Sequence, residues 1–130
     1  MKKVICNVLY KATMPMISKE MGKFTHTLGL FEDERTAKTA SLIEKGVLGC
    51  LDNIIYAGSS EIEEYFVPED RMEYGYVQYN LVTSIEDFAQ KNCFMNRYVS
   101  ENGRDALQMI INNAVETIGK TEDVGDVSSK

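Results

Sequence analysis

The chain has a single histidine in 130 residues, and its three cysteines, Cys6, Cys50 and Cys93, lie far apart. One histidine excludes histidine-rich zinc sites and the H-E-x-x-H arrangement. The cysteines offer no C-x-x-C spacing for zinc either. The glycine-rich phosphate signatures G-x-G-x-x-G and G-x-x-x-x-G-K are missing as well. No metal and no cofactor are therefore expected. An odd number of scattered cysteines suits reduced thiols in a cytoplasmic protein rather than a disulfide framework. No stretch nears the length of a membrane span, so no membrane partner is expected. The opening "MKKVICNVLYKATM" is apolar only until Asn7 and Lys11 interrupt it, and it reads as a first strand rather than a signal segment.

Basic residues are in the minority, 14 against 20 acidic, for a formal net charge of -6. That balance argues against direct non-specific binding of nucleic acid. With 44% hydrophobic residues the chain can fill a core of its own. There is no internal repeat and no interdomain linker. One domain over residues 1–120 is expected, followed by a polar, mobile tail over 121–130.

Val4 to Lys11 alternates as a strand, with Val4, Cys6, Val8 and Tyr10 on one face and Ile5, Asn7 and Leu9 on the other. Pro15 and Gly22 punctuate the next stretch, which reads as a loop. Lys23 to Phe31 predicts a second strand with Phe24, His26, Leu28 and Leu30 on one face. Asp33 then caps a helix from Glu34 to about Lys45, ended by Gly46. Leu51 to Ala57 reads as a strand followed by a turn at Gly58-Ser59-Ser60. Residues 61–67 fit a strand or a short helix, and Pro68-Glu69-Asp70 a turn. Tyr74 to Thr83 predicts a strand with Val77, Tyr79 and Leu81 facing the core and Tyr74, Tyr76, Gln78 and Asn80 facing away.

Ser84 caps the following segment. Whether one helix runs through Phe94 and Tyr98, or a helix gives way to a strand, is left open. Asn102 is placed as the cap of a last helix whose core face is Leu107, Ile110, Ile111, Ala114, Val115 and Ile118, with Gly119 at its end. Together these elements give an α+β fold, a small antiparallel sheet covered by two or three helices. One reading of residues 84–92 also allows a ferredoxin-like order with an extra C-terminal helix.

The stretch "EIEEYFVPEDRMEYGYVQYN", Glu61 to Asn80, concentrates acids and tyrosines. As strands it would set Glu61, Glu63 and Tyr65 on one side, Glu64 on the other, and Tyr74, Tyr76 and Gln78 on a facing ledge. Tyrosine supplies rigid contact area with a polar tip, which suits interfaces and ring-bearing ligands. A buried carboxylate there could also serve as an acid or base. The plainer alternative is a solvated hairpin. Arg97 and Arg104, with Asn96 and Asn102, could hold a phosphate or carboxylate. The preferred account of both arginines is surface pairing with Glu101 and Asp105. The "AGSSE" stretch offers an anion site only if a helix begins at Ser60, and a turn is preferred. His26 has the free pKa of a general base, and a Cys6–His26 pair would make a nucleophile. The preferred account is a half-buried strand histidine and an inert packed cysteine.

These features point to a small binding or regulatory protein, expected to be a homo-oligomer, that recognises a nucleotide-like small molecule or a partner protein. The first alternative is a metal-independent enzyme acting on an adenosine-containing metabolite between subunits. The second is an acidic protein inhibitor that occupies a basic groove.

Overall fold

The structure, a computed structural model, describes residues 5–128, with side chains described at 5–92 and 94–119. The order is β1 (Cys6–Ser18), β2 (Gly22–Phe31), α1 (Glu34–Leu48), β3 (Ile54–Ala57) and β4 (Glu61–Pro68). A 3₁₀ turn (Glu69–Arg71) follows, then α2 (Gly75–Asn80), β5 (Leu81–Val82), α3 (Ile85–Lys91), α4 (Cys93–Asn102) and α5 (Arg104–Ser128). The class is α+β, as the residue pattern implies. The sheet is mixed rather than antiparallel, because β5 joins β2 in parallel. Five helices accompany it among the described residues, where two or three were expected. A ferredoxin-like order does not appear, since β1 and β2 form a direct hairpin with no helix between them.

The first strand is longer than its start suggests. It continues through Pro15, and Met14 and Met16 are buried in the core. A proline fits here because of where its nitrogen points. Glu69 N–H donates to Ile5 O, and Gly58 N–H donates to Pro15 O. Odd residues of β1 therefore turn their backbone groups toward β4 and β3. Pro15 sits at the junction where β4 ends and β3 takes over, so its missing N–H falls at the break between those two ladders and takes no bond from β2. Residues 58–60 accordingly make no reversal. The chain passes from β3 to β4 along the same edge of β1.

A bulge in β2 assigns the faces. Ala12 lies opposite Gly29 but Thr13 lies opposite Thr27, so one residue is inserted at this point. Gly29 has φ +153, and a Cβ there would sit 2.6 Å from Val82 Cγ2. Beyond the bulge the alternation is inverted. Leu28 and Phe31 face the main core, whereas Leu30 joins Leu9, Val67 and Val77 on the opposite side. Leu30 is thus not on the Phe24–His26–Leu28 face.

That second apolar patch explains α2. Leu9, Leu30 and Val67 lie on the outer face of the sheet and need cover, which Val77 provides. Val77 and Leu81 are four apart, which serves a helix as well as the alternation serves a strand. Tyr79 discriminates: it is 85% exposed, so the expected strand over 74–83 is replaced by a helix and a two-residue strand.

Asp33 caps α1 by accepting from Thr36 N–H at 3.1 Å, and Ala37, Ala40 and Ile43 are fully buried. The helix runs past Gly46, which the Ile110 side chain of α5 approaches so closely that a Cβ would lie 3.1 Å from it. The glycine serves helix packing, and Gly49 ends the helix. Ser84 caps α3 as expected. Asn92 divides 85–102 into two helices, so neither the single helix nor the helix followed by a strand occurs. Asn102 closes α4 instead of capping α5, and α5 continues past Gly119. Leu107 and Ala114 are buried, Ile110 and Ile111 pack on the core, and Val115 is exposed. The expected mobility of 121–130 falls outside the described side chains.

Candidate functional site

Glu44 is the least expected resident of the core. It sits in α1 between Ala40 and Val47 on the buried stripe and is 0% exposed. A buried carboxylate is tolerated only when it is bonded. Two side chains meet its Oε2. His26 Nε2 approaches at 3.0 Å from β2, and Asn92 Nδ2 donates from the joint between α3 and α4. Oε1 has no hydrogen-bond partner among the described residues.

Each partner is itself held in place. Asn92 ends α3 through its N–H to Phe88 O, and its Oδ1 accepts from Phe94 N–H at 2.9 Å and Met95 N–H at 3.2 Å. That is a strong cap on α4, and it turns the amide nitrogen toward Glu44. Phe94 lies edge-on to the His26 ring, with centroids 5.0 Å apart at 83°. Glu44 accepts, so His26 donates from Nε2, and Nδ1 is the ring nitrogen left for a ligand. The 3.5 Å approach of Asn92 Nδ2 to His26 Nε2 sets two donors side by side, both turned to Oε2.

His26 and Asn92 line a cleft of about 470 Å³, within the size range of small-molecule sites. Leu28 and Val82 form its apolar part, and Gln78, Tyr79, Asn80 and Lys91 its polar rim. Lys91 is steadied by Leu81 O and by Asp87 Oδ2 at 3.1 Å. Asp87 Oδ2 also accepts from Thr83 N–H at 3.0 Å. Burial alone would raise the Asp87 carboxyl. The Thr83 N–H, the hydrogen bond and charge of Lys91, and the Thr83 hydroxyl outweigh it and hold the group below its ordinary 3.8. A depressed carboxylate contributes stability that is fully present above the ordinary value and is lost as pH falls through the lowered one. Protection of the α3 amides, taken relative to their intrinsic exchange, should accordingly fall below pH 3.8, and Asp87→Asn should remove that step. An unchanged acid profile in the variant would refute the assignment.

The acid–tyrosine stretch is only partly assembled. β4 is a strand, with Glu61, Glu63, Tyr65 and Val67 on the outer face and Ile62, Glu64 and Phe66 on the other. Tyr65 meets Tyr76 of α2 with centroids 6.3 Å apart, and Lys11 Nζ lies 5.8 Å from the Tyr65 ring centre. Tyr74 precedes α2 and stacks with Arg71 at 5.7 Å. Gln78 points elsewhere, donating to Met72 O while it lines the His26 cleft. The facing ledge of Tyr74, Tyr76 and Gln78 on one strand does not exist, because these residues belong to a helical turn.

Arg97 pairs with Glu101 at 3.1 Å on the surface of α4. Arg104 opens α5, exposed and without an ion pair among the described residues. No helix begins at Ser60, which leaves the "AGSSE" anion site without its basis. Cys6 lies opposite Pro68 at the end of β1, whereas His26 lies opposite Met14, so the sheet register separates them. Cys6 and Cys50 are free and exposed, and Cys6 is therefore not packed. His26 is half-buried on its apolar face as expected, but its acidic partner was not foreseen. The signal for Glu44 was legible: at 37, 40, 44, 47 and 48 a carboxylate interrupts the apolar spacing of α1.

No metal-binding cluster of three or more histidine, cysteine, aspartate or glutamate residues occurs among the described residues. No described helix is long and apolar enough to cross a membrane. No family model, curated protein or solved structure matches this chain.

Proposed function

We propose that the protein works by binding a small anionic, ring-bearing molecule, nucleotide-like in its chemistry, in the cleft between β2, α2 and the end of α3. The observation that carries this reading is the His26–Glu44–Asn92 cluster. A buried carboxylate is costly to desolvate, and here its bonds orient the one histidine at the wall of a ligand-sized cleft. Lys91 supplies hydrogen bonds and charge for a phosphate or carboxylate, and His26 Nδ1 accepts from a donor on the ligand. The Asn80 carboxamide oxygen suits a donor on the edge of a heterocycle, its nitrogen being bonded to Tyr76 O, and the exposed Tyr79 ring offers a stacking surface. The hydroxyls lining this cleft are those of Thr27 and Tyr79, and neither is hydrogen-bonded to His26 among the described residues. Binding is therefore favoured over covalent turnover.

Calorimetry and thermal melts with a panel of purine and pyrimidine nucleotides test the reading. A true ligand at a hundredfold excess over its Kd should add about 2.7 kcal/mol of stability. The His26→Ala and Lys91→Ala variants should weaken it, and chromatography should return it unchanged. Consumption of the nucleotide would favour the enzyme alternative. No binding by any member of the panel would discard the class.

Association into a homo-oligomer belongs to the same proposal. Tyr74 and Tyr76 are 59% and 50% exposed around one end of the sheet, an aromatic surface that a second copy would cover. Light scattering that gives a monomer at every concentration would remove this part.

A further inference from the structure

β4 pairs with β1 alone, and its other edge carries no strand among the described residues. The hydrogen bond from Glu69 N–H to Ile5 O identifies the bonded register. Residues 61, 63, 65 and 67 turn their backbone groups to β1, so Ile62, Glu64 and Phe66 turn theirs outward. An open edge is a template for another strand, and proteins commonly guard such edges with lysine. This one carries three acids instead. Glu61, Glu63 and Glu64 are all exposed, and none is in an ion pair among the described residues. Lys11 lies opposite Glu63 in the register, but its ammonium is placed over Tyr65.

We infer that the β4 edge docks an extended, basic segment of a partner protein by strand addition. In that arrangement the Ile62, Glu64 and Phe66 backbone groups complete a ladder, and Glu61 and Glu63 face lysines or arginines two residues apart. The charges select the occupant. A second copy paired antiparallel about Glu63 or Glu64 would set like carboxylates opposite each other. A basic strand removes that repulsion and gains attraction at the same positions. The exposed Phe66 ring adds an apolar contact on the other face. This docking uses a different part of the sheet from the His26 cleft and does not depend on it.

A capped octapeptide alternating lysine and valine is the probe. It should bind, slow amide exchange at Ile62, Glu64 and Phe66, and lose affinity about tenfold as sodium chloride rises from about 0.05 to 0.5 M. Glu64→Pro should abolish binding, because it removes an outward N–H without touching a ladder bond to β1. If circular dichroism shows that this variant unfolds, Glu61→Lys/Glu63→Lys decides the matter, with a loss of at least about tenfold expected. Protection elsewhere, binding indifferent to the charge reversal, or no binding would overturn the inference. So would concentration-dependent protection of the same amides without peptide, which would assign the edge to a second copy.

Discussion

Phe31→Ala should cost about 3–5 kcal/mol of folding stability. Phe31 is the last residue of β2, fully buried, with its ring 5.9 Å from that of Phe88 in α3. It ties the sheet to the helical layer near the short β5 strand. Truncation removes a large apolar side chain and leaves a cavity that the bulge at Gly29 hinders from closing. Urea unfolding monitored by circular dichroism measures the loss. Glu32→Ala, one residue on and exposed, is the control and should stay within about 0.5 kcal/mol. A small loss at Phe31 would mean that the bulge is absent and Leu30 occupies the core in its place.

Glu44→Ala should also cost about 3–5 kcal/mol, for a different reason. The substitution leaves His26 Nε2 and Asn92 Nδ2 without their acceptor, in a space the carboxylate had filled. Coupling separates this from simple loss of volume. Glu44→Ala and His26→Ala combined should fall short of the sum of the single losses by about 1–3 kcal/mol, because either change already breaks the bond. Additive losses would show that His26 and Glu44 touch without depending on each other. Replacing Glu44 with leucine and His26 with leucine together should recover much of the stability while abolishing nucleotide binding. Recovery of stability with binding retained would remove the cleft from consideration as the ligand site.

The site was harder to read than the fold because its members are distant in sequence. His26 and Glu44 are 18 residues apart, and Asn92 is 48 beyond Glu44. No spacing rule connects a strand histidine to a helix glutamate and an asparagine between two helices. The acidic and tyrosine-rich stretch, conspicuous in the chain, is divided between a strand edge and a helical turn. Tyrosine's preference for strands favoured the wrong element over 74–83. The apolar outer face of the sheet needed a cover, and a short helix could supply it.

Local chemistry determined a definite part of this protein. The α+β class, the caps at Asp33 and Ser84, the buried face of α1, and Leu107 and Ala114 in α5 all follow from signals within a few residues. Helix caps and periodicities act over one or two turns, so the chain carries them wherever it folds. Tertiary structure alone decided the rest. It placed Pro15 inside a strand, because its missing N–H falls at the break between the β4 and β3 ladders and not on the β2 ladder. It set Leu28 and Leu30 on opposite sides through a bulge against β1. It buried Glu44 against His26 and Asn92, because packing α1 on the sheet and α4 beside it brings three polar groups to one point that water does not reach.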